Sequence, residues 1–212
     1  MTSPFKRLIE NLVSPKGPGP STTFSMFHIF YALELMAKKP IGRNKLAEKL
    51  NVGEGAIRTI INHLKDSGLI VTSKAGCVLT DKGAKVWNNF VAVFPKRAEI
   101  GKTALTTSEY SYAFLVKDKG DKVKSGIDQR DAAIMGGARR ALVIVFKNGH
   151  LMIDSISDSL EKDFPEAAAA ILRDLEPKDN DVIIIAGADK PLKARRGAFA
   201  ASWVLIGNDK KT

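Results

Sequence analysis

Apolar residues recur with helical spacing through the first hundred positions and with strand-like spacing in the second hundred. A stretch from Ser3 to Val13 carries Pro4 at its first helical position and predicts a short helix. Residues 14–22 (SPKGPGPST) then hold three prolines and two glycines and predict an extended arm. From Thr23 to about Lys38, Phe27, Phe30, Tyr31, Leu33, Leu35 and Met36 make a broadly apolar helix, ended by Pro40 and Gly42. Arg43–Leu50 buries Leu46, Ala47 and Leu50. After the turn Asn51-Val52-Gly53 a third helix runs over about 54–67. Its Ile57, Ile60, Ile61 and Leu64 lie at i, i+3, i+4 and i+7, one clean stripe, and Gly68 stops it. Residues 69–73 and 77–80 read as two short strands around a tight turn, and 80–94 as a closing helix that carries Val86, Trp87, Phe90 and Val91.

The rest of the chain changes rhythm. Strands are expected at 110–116, 141–146, 151–153 and 181–185, with Asn148-Gly149 as a hairpin turn. Helices are expected at 127–138, 164–175 and 190–205, the last with Asp189 as its N-cap. The order βαββαβα, whose first six elements form a split βαβ arrangement, predicts an α+β sandwich, ferredoxin-like or related. The expected organisation is an N-terminal helix and arm (1–22), a winged helix-turn-helix (23–97) and an α+β domain (98–212).

Charge separates the two halves. Residues 1–97 hold 15 Lys+Arg against 6 Asp+Glu, whereas residues 98–212 hold 18 against 17. Nearly all of the net charge of +10 therefore lies in the first half, which points to a polyanionic partner for that half. The 44% hydrophobic, 26% charged composition suits a globular protein. A single cysteine, Cys77, excludes an internal disulfide and fits a reducing cytoplasm. Three scattered histidines argue against a metal centre. No 18-residue apolar run and no apolar leader core point to a membrane span or a signal peptide. No cofactor motif is present.

Three helices, a glycine-containing turn and a hairpin make a winged helix. Opposite its isoleucine stripe the third helix carries Gly55, Arg58, Asn62 and Lys65, flanked by Thr59 and His63. Arg suits guanine and Asn adenine, while Lys and Thr suit phosphates or mixed contacts. Gly55 permits close approach of the helix start to a phosphate. Arg43 and Lys45 open the second helix, and Lys74 tips the wing. These nine residues are the candidate DNA contacts. The run Leu64-Lys-Asp-Ser-Gly-Leu-Ile70 followed by Gly76-Cys-Val-Leu-Thr-Asp-Lys-Gly83, with Asn51–Ile61 before it, resembles winged-helix transcriptional regulators. Residues 126–149 and 187–195 are similar to an uncharacterised domain that follows a winged helix in archaeal proteins. The resemblance implies a DNA-binding regulator of double-stranded DNA. The alternative is a winged helix that docks protein or RNA.

In the second half, Arg139 and Arg140 follow a Gly-Gly helix stop, and Asp189, Arg195 and Arg196 lie at or near the start of the last helix. They are the candidate contacts of a small anionic effector. Ordinary capping and solvated arginines are the competing reading. No enzyme is expected, because Gly-x-Ser-x-Gly and His-Glu-x-x-His are both absent and His150 with Asp154 reads as an exposed hairpin pair. The last helix is apolar nearly all round, including Phe199, Trp203 and Leu205. It either fills its own core or forms the face of an expected homodimer.

Overall fold

The computed structural model describes residues 4–13 and 24–206, so the expected Pro/Gly-rich arm lies outside the described residues. The chain divides into two compact units, residues 2–91 and 92–212. The fold class is α+β, with a helical N-terminal unit and a sheet-based C-terminal unit.

Among the described residues, five helices and a hairpin form the first unit: α1 (Pro4–Val13), α2 (Met26–Lys38), α3 (Arg43–Leu50), α4 (Glu54–Asp66), β1 (Ile70–Ser73), β2 (Gly76–Leu79) and α5 (Asp81–Val93). The Ser25 N–H donates to Nδ1 of His28 at 2.9 Å and closes the start of α2. Asn51 ends α3 in the left-handed region at φ 53°, a conformation its short polar side chain tolerates. The α4 stripe is buried as its spacing demands, with Ile57, Ile60, Ile61 and Leu64 each at most 8% exposed. Phe30, Leu33, Leu46, Leu50 and Phe90 complete this core. The Phe5 ring of α1 stands edge-on to Phe90, with centroids 4.6 Å apart.

The wing strands pair antiparallel from Ile70↔Leu79 to Ser73↔Gly76. Ile41, between α2 and α3, adds a bridge to Cys77 and anchors the hairpin to the helices. Gly76 is required here. Its φ is +120°, and a Cβ would lie 2.6 Å from the Ile41 carbonyl group.

The second unit contains β3 (Arg97–Ile100), β4 (Tyr110–Val116), α6 (Ile127–Met135), β5 (Arg140–Lys147), β6 (His150–Met152), α7 (Leu160–Asp163), α8 (Pro165–Leu175), β7 (Val182–Ala188) and α9 (Pro191–Val204). The sheet order is β3-β4-β7-β5-β6, antiparallel throughout. On one face, Ala113, Leu115, Ile144, Ile183 and Ile185 pack with Leu160, Ala168, Ile171 and Leu175 of α7 and α8. On the other, α9 lies on β4 and β7 and against α6.

Four sequence expectations are corrected or refined here. First, β3 was not foreseen. Residues 97–100 pair with 111–114, and Phe94 just before them packs on Phe114 and Phe199, so the unit boundary falls at 91–92 rather than after 97. Second, the expected α+β sandwich is present, with a strand order related to the ferredoxin one but not identical to it. β4 and β5 do form a split βαβ through α6, but the strand inserted between them is β7, whereas the ferredoxin order would insert β6. Length and apolarity decide this, since all seven β7 residues are buried and β6 has three residues with His150 exposed. Third, the N-cap of α9 is Lys190, with Pro191 in the first turn; Asp189 is engaged elsewhere. Fourth, of the two readings open for α9, its large side chains take the core: Phe199 and Trp203 are 2% and 5% exposed and stack at 5.5 Å within their own unit.

Gly76→Ala is expected to destabilise the N-terminal unit by about 2 kcal/mol or more, because a strained φ and a backbone collision coincide. Gly55→Ala, with open space around the added methyl, is expected to stabilise α4 by about 0.5–1 kcal/mol. Thermal denaturation followed by circular dichroism reads both. Equal melting temperatures for the two variants would contradict this account of the wing.

Candidate nucleic-acid interface

Burial of the isoleucine stripe turns the opposite side of α4 outward. Gly55, Arg58, Thr59, Asn62 and Lys65 are all exposed, as are Arg43 and Lys45 on α3 and Lys74 in the turn of the wing. The side chains of Asn62, Lys65, Lys45 and Lys74 make no hydrogen bond or ion pair among the described residues, so their polar groups face solvent. Thr59 differs, because its hydroxyl donates back to the Gly55 carbonyl at 3.0 Å. At the hairpin tip the Ser73 hydroxyl accepts the Ala75 N–H at 3.2 Å and orders the turn that carries Lys74.

His63 does not join this face. It is 8% exposed, its Nδ1–H donates to the Leu12 carbonyl at 2.8 Å, and its ring meets Phe24 edge-on at 5.7 Å. Its polar edge faces the C-terminal end of α1, so it fastens that helix and is withdrawn from the list of candidate DNA contacts. Position 63 lies between the exposed Asn62 and the buried Leu64, where helical spacing alone leaves the side undetermined.

The expected list lacked one residue of the exposed face. Glu54 opens α4, and its Oε1 lies 2.8 Å from Arg58 Nη2 and 3.5 Å from Arg43 Nη2. One carboxylate thus holds two of the candidate arginines. The four-residue spacing of Glu54 and Arg58 is a pairing signal legible in the sequence; the contact with Arg43 needs the turn between α3 and α4.

The second candidate cluster does not converge. Arg139 Nη2 pairs with Asp189 Oδ2 at 3.2 Å, and Lys193 Nζ lies 3.1 Å from Asp189 Oδ1. The Lys193 hydrogen bond, opposed by desolvation and helped by both cations, holds the Asp189 carboxyl below its ordinary range. Arg195 lies over the Tyr112 ring at 5.0 Å. Arg196 donates to the Gly136 carbonyl and so closes the end of α6. Arg140 reaches Thr107 Oγ1 at 2.8 Å on the α8 side of the sheet. Adjacent positions on a helix or strand point apart, which separates Arg139 from Arg140 and Arg195 from Arg196. His150 is 3.7 Å from Glu161, and is therefore paired with a residue other than Asp154. Burial raises the Cys77 thiol above its usual range, partly offset by Lys65.

Comparison with known proteins places both halves. Residues 29–85 match the PH0730-like N-terminal domain. Residues 107–205 match a domain of unknown function, DUF4443. The chain is similar in structure to the hypothetical protein PH0730 from Pyrococcus horikoshii OT3, with 27% identity, a TM-score of 0.72, and coverage of 86% of this chain and 92% of that one. It also aligns with wild-type ZitR of Lactococcus lactis at 24% identity and a TM-score of 0.30, over 41% of this chain and 63% of that one. No curated protein matches. Among the described residues no helix is long and apolar enough to cross a membrane.

His63→Ala is expected to cost about 1–3 kcal/mol, the penalty of removing a buried hydrogen-bonding partner. Amide exchange in α1 should accelerate, while the exposed face of α4 is untouched. Unchanged α1 protection would show that His63 does not hold that helix.

Proposed function

We propose that the chain is a DNA-binding transcriptional regulator whose N-terminal winged helix enters the major groove of duplex DNA through α4. The observation that carries this reading is the division of α4 into a buried aliphatic side and an exposed side presenting Arg58, Asn62 and Lys65, beside a wing tipped by Lys74. The charge excess of residues 1–97 supports a polyanionic partner. Asn62 can pair with the adenine edge, and Arg58 with guanine once released from Glu54. Lys45, Lys65 and Lys74 serve phosphates, which position the domain without reading sequence. Arg43 joins them when Glu54 lets go.

Glu54 gives this face a built-in competitor. Its carboxylate neutralises two arginines in the free protein and repels phosphate, so a base pair that draws Arg58 away must outweigh the ion pair. The exchange favours correct sites over arbitrary DNA. The C-terminal unit is the dimerisation or effector-sensing half in this reading, and the protein acts as a homodimer, since one winged helix contacts too few base pairs for useful specificity.

Fluorescence anisotropy with short duplexes tests the proposal. Affinity should fall steeply with salt, with a log–log slope of about −0.9 per neutralised phosphate, and Lys74→Ala should flatten the slope by roughly one unit. Arg58→Ala and Asn62→Ala should each cost about 1–3 kcal/mol at particular base pairs. Glu54→Gln should tighten binding to random sequence about two- to fivefold. A response flat in salt sinks the nucleic-acid reading and leaves α4 as a surface for docking protein. Sedimentation of the full chain at micromolar concentration tests the dimer.

A further inference from the structure

The sequence singled out Arg140 but not what surrounds it. Ser111 of β4 and Arg140 of β5 are both direct cross-strand neighbours of Gly187 in β7. All three share the α8 face of the sheet, because Ala113, Ile185 and Leu142, two residues along each strand, pack in that face's core. Gly187 has no side chain, so a gap opens between a hydroxyl and a guanidinium. The segment 101–109 leans into it. A Cβ on Gly187 would lie 2.2 Å from Ser108 Oγ and 3.6 Å from Ser111 Oγ, so no other residue fits there without moving the loop.

The loop is held in place by its own threonines. Thr106 is buried and its hydroxyl donates to the Gly101 carbonyl at 2.6 Å. Its N–H donates to Thr103 Oγ1 at 3.1 Å, and the Thr103 N–H donates to Thr106 Oγ1 at 3.0 Å. This ring of bonds presents Thr107 and Ser108 to the gap. The result is a cleft of about 90 Å³, with Arg140, Thr107, Ser108 and Ser111 as its polar groups and Leu142 and Ile185 on its floor.

Two of these groups lack ordinary partners. Ser111 is only 6% exposed, yet its hydroxyl makes no hydrogen bond among the described residues. Its oxygen lines the cleft, where a bound oxyanion can accept from it. Arg140 is bonded to Thr107 alone and has no carboxylate partner among the described residues, unlike Arg139 beside it.

We propose that this cleft binds a phosphoryl group. A guanidinium fork and three hydroxyls can donate to a tetrahedral oxyanion from several directions, with the charge supplied by Arg140. The cleft is well below the roughly 300–1,000 Å³ of sites that enclose drug-sized ligands, so it holds inorganic phosphate or the terminal phosphate of a small monoester. The site lies wholly in the C-terminal unit and stands independently of the DNA reading; where that reading holds, it supplies the effector.

Isothermal titration of the full chain at constant ionic strength tests it, with inorganic phosphate and glycerol 3-phosphate as the two probes. Wild type should bind at least one of them saturably. Tighter binding of glycerol 3-phosphate identifies a phosphate ester as the ligand class, and tighter or equal binding of inorganic phosphate identifies the free ion. Arg140→Gln should weaken binding about tenfold or more. Ser111→Ala removes only an unpaired hydroxyl, should leave the melting temperature unchanged and should weaken binding severalfold. Arg139→Gln should bind as wild type. Absence of saturable binding of either probe, or wild-type affinity in both Arg140→Gln and Ser111→Ala, would overturn the proposal.

Discussion

Burial of the isoleucine stripe of α4 is the interaction on which the N-terminal unit depends. Ile57, Ile60, Ile61 and Leu64 join Leu46, Leu50, Phe30 and Phe90 in the core. Each fully buried side chain of this kind contributes about 1.5–3 kcal/mol by leaving water. That packing fixes the rotation of α4 about its axis. Because 3.6 residues make a turn, the same rotation puts Gly55, Arg58, Asn62 and Lys65 in solvent together. The candidate interface is thus a consequence of the core.

The C-terminal unit is organised by a different constraint. A strand buried along its whole length must have a neighbour on each side and a helical layer on each face. β7 meets that description and takes the centre of the sheet, with β4 and β5 beside it. Its partners then determine which residues share a face. Ser111, Gly187 and Arg140 become neighbours although 29 and 47 positions separate them along the chain. The cleft between them exists because the middle position has no side chain.

Charge pairing sorts the arginines into roles that composition could not assign. Arg58 and Arg43 converge on Glu54, Arg139 on Asp189, and Arg196 on the carbonyl at the end of α6. Exposed pairs of this kind add little stability, about 0–1 kcal/mol each. Their weight lies in availability, since a paired guanidinium must leave its carboxylate before it can meet another anion. Arg140, with one hydroxyl as partner, carries no such debt.

Local pattern alone determined the wing, most strands and every described α-helix except the short α7, because a 3.6-residue or two-residue period reports directly which side of an element is apolar. It also determined the exposed residues of α4, apart from His63 at the margin of the stripe, whose side depends on where α1 ends. The turn at 148–149 was readable from its Asn-Gly pair, whereas the need for glycine at 76 comes from the approach of Ile41. Tertiary structure decided everything that rests on contacts between distant segments. It added β3, whose four residues show no strong alternation and form a strand through β4. It placed β7 inside the split βαβ, turned α9 into core, and withdrew Asp189 from capping by giving it Arg139 and Lys193. It also dispersed the expected effector residues apart from the Arg139–Asp189 pair, and built the Arg140 cleft from a serine and a loop that no motif marked. Periodicity carries the facing of each element, whereas the identity of the facing partner is set only by the closed, three-dimensional packing.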